Sequence, residues 1–83
     1  MGDVFEKHKK EIEMCEGMLG VVDGRLFYAV SILSDVQHMV GDNEEINDEI
    51  NEVKQLIISI LKQRGTDTKT MVDVQNKLGE SNE

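Results

Sequence analysis

The chain has 83 residues, of which 39% are hydrophobic, with no proline and no tryptophan. A chain this short buries only about 60% of its unfolded surface, which excludes two independent cores and predicts one small domain. Seventeen acids against nine bases give a net charge of −8. That field repels phosphate backbones and anionic lipid, so no direct contact with nucleic acid or membrane is expected.

Phe5, Phe27 and Tyr28 are the aromatics, and Glu, Lys, Ile, Val, Met and Gln dominate the rest. This composition favours helices and lacks the large residues that strands prefer, so an all-α fold is predicted. The one cysteine, Cys15, has no partner for an internal disulfide, and no basic start with a signal-length apolar run precedes it. An intracellular, cytoplasmic setting is therefore expected. The longest apolar run, residues 56–61 with Ser59 inside it, is far shorter than the roughly 20 residues of a membrane span.

Asp3 is placed to cap a first helix whose apolar series opens with Val4 and Phe5. From there Phe5, Ile12, Cys15, Leu19, Val22, Leu26, Ala29, Leu33, Val36 and Val40, with His8 filling one gap, advance in alternating steps of three and four. A loop has no reason to keep heptad phase, so this series predicts one helix over about residues 3–40, roughly 57 Å long. Gly17, Gly20 and Gly24 argue against it, each costing up to about 1 kcal/mol in a helix, and they leave open a break near residues 20–24.

Gly41 is a stop signal, and Asp42 or Asn43 starts a second helix over about 43–64 with Glu44 and Glu45 in its first turn. Ile46, Ile50, Val53, Ile57 and Ile60 form its apolar line, which Leu56, Ile58 and Leu61 widen before Gly65 ends it. Thr66 or Asp67 caps a last helix over about 66–78, in which Met71, Val74 and Leu78 share a face, and Gly79 opens a polar tail at 80–83.

Residues 1–79 thus read as a single helical domain. Its simplest form is a long antiparallel helical hairpin with a coiled-coil-like heptad seam and a short C-terminal helix. The alternative is a compact four-helix bundle broken near residues 20–24. A lone hairpin leaves a second apolar flank wet, so a homo-oligomer forming a helical bundle is expected, with a two-fold dimer as the default.

On a continuous helix Gly17, Gly20 and Gly24 fall on one stripe opposite the seam, bordered by Met14, Val21, Arg25, Phe27 and Tyr28. Such a smooth, apolar-edged stripe is a candidate partner-binding surface where another backbone approaches closely. The second candidate is an acidic tip of Asp42, Glu44, Glu45, Asp48, Glu49 and Glu52, able to imitate a phosphate row before a basic groove.

Chemical sites find less support. His8 and Cys15, with Glu11 between, lack further Cys or His ligands and read as seam residues, and Asp35 with His38 is a spacing common by chance. The run from Asp42 holds Asn47 and Val53 where a calcium loop of the EF-hand type needs glycine and glutamate. Ser31 and Ser34 have no evident base, and no phosphate-binding glycine loop is present, so neither catalysis nor a metal or cofactor is expected.

In general cast the chain is similar to small bacteriophage or bacterial accessory proteins, such as assembly chaperones and inhibitors of host systems. The leading expectation is a non-catalytic homo-oligomer that binds another macromolecule, as inhibitor, adaptor or assembly chaperone. The alternatives are an oligomer holding a small ligand such as a nucleotide between subunits, and an acidic mimic of nucleic acid.

Overall fold

The computed structural model describes residues 2–81, and the side chains of residues 5–80. The fold is all-α. Four helices follow one another: α1 (Gly2–Leu19), α2 (Val21–Val40), α3 (Glu44–Gln63) and α4 (Thr68–Ser81). The cap expected from the Asp3 side chain lies outside the described residues.

The long helix expected over 3–40 is not formed. Gly20 stands alone between α1 and α2 with φ 95° and ψ 166°, a backbone region open essentially to glycine. Its amide donates to the Glu16 carbonyl at 2.8 Å and closes α1, and its carbonyl accepts from the Gly24 amide at 2.8 Å and opens α2. The chain reverses at this residue. Gly24 then lies against Cys15 and Glu16, and Tyr28 against Glu11 and His8, so partners recede along α1 as α2 advances and the two helices are antiparallel.

Continuity of heptad phase misled because the two helices use different faces. α1 turns its seam inward through Cys15, with Ile12 and Leu19 packed nearby. α2 buries Gly24, Phe27 and Tyr28 most deeply, with the seam residue Leu26 only partly buried beside them, and leaves Val22 51% exposed.

The second turn follows the sequence reading more closely. Gly41 stops α2 with φ 71°, and the Asn43 side chain accepts from the Ile46 amide at 3.2 Å, covering one of the free donors of the first turn of α3. Gln37 bonds across to Asn47 and Asn51, and Lys54 donates to Gln37 Oε1 at 2.8 Å, which sets α3 antiparallel to α2.

α3 ends in a Schellman pair, Thr66 N–H to Leu61 C=O at 2.9 Å and Gly65 N–H to Lys62 C=O at 3.0 Å. Asp67 then caps α4 by accepting from the Thr70 amide at 2.8 Å. The polar tail expected from Gly79 begins later than predicted, since α4 runs through Gly79 to Ser81. Buried Leu78 anchors the turn that carries this exposed glycine. Residues 82 and 83 of the expected tail lie outside the described residues.

Met71, Val74 and Leu78 of α4 close the core onto Cys15, Phe27, Tyr28 and Leu61. The body measures 37 × 34 × 18 Å. The buried core lies where α4 packs on the hairpins, and Ile46 and Val53, toward the other end of α3, stay exposed.

Candidate functional site

The three glycines of the expected stripe are separated by the fold. Gly17 is exposed on α1 with open space where a Cβ would project, and Gly20 is the turn. Gly24 is buried: a Cβ there would stand 2.6 Å from the Glu16 N and Cα atoms and 2.7 Å from the Cys15 carbonyl carbon. The backbone that approaches this glycine is the protein's own α1.

Phe27 and Tyr28, expected beside an outer groove, are likewise core residues, while Met14 is half-buried against them. Val21 and Arg25 remain exposed, with Arg25 3.6 Å from Glu16 across the turn. The stripe is therefore not a continuous outer surface. Its centre is used up by the α1–α2 contact, for the physical reason the sequence suggested, close backbone approach.

A polar cluster seals that contact. The Tyr28 hydroxyl donates to Glu11 Oε1 at 3.0 Å and is hydrogen-bonded to His8 Nδ1. A hydroxyl has one proton, so with that proton on Glu11 the His8 Nδ1 must act as the donor to the phenol oxygen. Burial first, then the bond to Glu11 and its charge, pushes the Tyr28 phenol well above its ordinary range. Burial, followed by Glu11, also raises the Cys15 thiol, which makes it a core residue rather than a nucleophile. Ser34 spends its hydroxyl on the Val30 carbonyl at 3.1 Å. Among the described residues no group of three or more His, Cys, Asp or Glu is placed to hold a metal ion.

The acidic tip forms as one exposed region. Asp42, Glu44, Glu45, Asp48, Glu49 and Glu52 are all exposed at the α2–α3 turn and along the first half of α3. The feature that sequence reading missed adjoins it. Ile46, Val53 and Ile60, seven residues apart, and Leu56, 65% exposed, leave an open apolar line along α3. Glu49, three residues after Ile46 and four before Val53, falls within the line and separates Ile46 from the Val53–Leu56–Ile60 stretch, and Glu52 lies one turn before Leu56. The heptad spacing was visible in the sequence, but it was assigned to the hairpin seam. In the fold α3 packs through Ile57 of that line and through Ile58 and Leu61, which widen it.

A second concave feature lies between α2, α3 and α4. This hollow of about 370 Å³ has Phe27, Val30, Ile58, Leu61, Met71 and Val72 on its walls, and Gln55, Lys62, Thr68 and Gln75 complete its lining. Where α2 starts, Asp23 ties the α3–α4 joint down. It pairs with Arg64 and accepts from the Thr66 hydroxyl at 3.1 Å, and the Arg64 bond foremost holds its carboxyl below the usual range.

These features define a small all-α bundle with one sealed end and one open, acid-edged apolar helix face. Comparison of the chain with family models, with curated proteins and with solved structures found no match. No helix among the described residues is long and apolar enough to cross a membrane.

Proposed function

We propose that this chain is a non-catalytic, homo-oligomeric protein that binds another macromolecule, as inhibitor, adaptor or assembly chaperone. The observation that carries the reading is the open line of Ile46, Val53, Leu56 and Ile60 on α3, continuous with the acidic tip. Apolar residues aligned on one exposed helix face and rimmed by charge are the common dress of a helix-docking surface. The same face suits either a second copy in a two-fold dimer or a foreign helix with basic flanks. A cytoplasmic setting, as in the phage and bacterial accessory proteins that the chain is like in style, fits the buried free thiol of Cys15.

The test uses three baits in parallel: the wild type, Leu56→Glu, and a tip variant with Glu44, Glu45, Asp48 and Glu49 changed to amides. A partner held by the wild type and lost from Leu56→Glu supports the α3 face. Equal retention by both removes it. Salt-sensitive capture lost only from the amide variant would transfer the role to the tip, as a mimic of nucleic acid.

A further inference from the structure

We infer that the hollow between α2, α3 and α4 binds a single-chain anionic amphiphile, an aliphatic carboxylate of medium length. This goes beyond the macromolecular reading and does not depend on it. It also differs from a nucleotide held between subunits, because the hollow is built within one chain and its floor is apolar.

The lining sets the ligand's chemistry. Phe27, Leu61 and Met71 are buried core residues, so the hollow opens directly onto the core, and exposed Val72 extends its wall outward. At about 370 Å³ it has room for roughly a dozen groups of the size of a water molecule, near 30 Å³ each. That is enough for one acyl chain of about ten carbons.

Charge sets the head group. In a chain of net charge −8 this lining holds no carboxylate, and its one charged side chain is Lys62. Among the described residues no carboxylate lies within ion-pair distance of the Lys62 ammonium. Gln55, Gln75 and Thr68 add neutral donors. Lys62 also stands in the last turn of α3, and a cationic head would meet it unfavourably. A carboxylate at Lys62 with its chain along Ile58 and Val72 satisfies both parts of the lining.

The experiment is a titration of the isotope-labelled full chain with decanoate below its micelle concentration, followed by amide shifts. Saturable shifts grouped at Val30, Ile58, Leu61 and Val72 are expected. Decyltrimethylammonium should bind more weakly, although the overall charge of the protein attracts it. Lys62→Gln is expected to weaken decanoate by about threefold to fivefold, the worth of an exposed ion pair, and Val72→Asn to weaken it several-fold. Both residues are exposed, and circular dichroism checks that each variant folds.

Absent or non-saturable shifts overturn the inference, as do shifts centred on the Val53 and Leu56 face or equal binding of the cationic probe. An unchanged affinity in Lys62→Gln overturns the head-group assignment. Concentration-dependent changes at the groove without any probe would mean that a second copy occupies it. None of these outcomes touches the Leu56→Glu capture experiment, so the two proposals fail separately.

Discussion

The two helix pairs of this protein are built on opposite principles. α1 and α2 meet through a single-residue turn and a backbone contact at Gly24 too close for any side chain, with Cys15 and Tyr28 buried alongside. α2 and α3 meet through a three-residue turn, and their outer half is held by the amide of Gln37 with Asn47, Asn51 and Lys54. The first pair is fixed where backbone meets backbone at Gly24. The second keeps its isoleucines partly in water. The α1–α2 contact is buried at Gly24 and Tyr28 although Met18, Val21 and Val22 beside its turn stay exposed, and the proposed binding role rests on the acid-edged apolar residues of α3.

The contrast is open to direct test. Gly24→Ala should be the most damaging of the small changes, by about 3 kcal/mol, because the new methyl meets backbone that cannot move aside. Urea unfolding measures it, and a near-neutral result would mean that the α1–α2 contact is looser than drawn.

Gly20→Ala should cost about 2 kcal/mol from its backbone conformation, whereas Gly17→Ala, on an open helical surface, should stabilise by up to about 1 kcal/mol. The opposite signs at two glycines three residues apart distinguish a turn from a continuous helix.

Tyr28→Phe should cost about 1–2 kcal/mol at neutral pH by leaving buried Glu11 without its phenol donor. The phenol of folded Tyr28 is raised, whereas the unfolded chain releases that proton near pH 10. The unfolded state therefore binds fewer protons above that pH, and this contribution is full below about pH 10 and lost as pH rises beyond it. The gap between wild type and Tyr28→Phe should narrow on the alkaline side.

The smallest effects belong to the other pair. Leu56→Glu and the amide substitutions at the tip should each leave stability within about 0.5 kcal/mol, even where they abolish capture of a partner. A large loss of stability would show that the α3 face is structural.

Much of the fold was legible at the level of local chemistry. Gly41, a cap at Asp42 or Asn43, Gly65 and the Met71–Val74–Leu78 face are read from the chain because each depends on neighbours within a turn or two, and the fold selects Asn43 as the cap. The same holds for the exposed acids of the tip, since charge is solvated wherever the backbone goes. The break at Gly20 was visible only as a conflict between three glycines and an unbroken heptad. Periodicity records which faces are apolar, not which of them meets a partner.

Composition, capping and spacing by themselves determined an acidic all-α chain and most of its helix ends, because helix propensity and end chemistry are local free energies. Tertiary structure alone decided that α2 folds back on α1, that Gly24, Phe27 and Tyr28 face inward, and that the Ile46–Val53–Ile60 line stays open. Those choices depend on which apolar face excludes more water once the whole chain is packed. The close approach allowed at Gly24 favoured α1 over solvent or a partner, and the core that formed there left Ile46, Val53, Leu56 and Ile60 of α3 exposed.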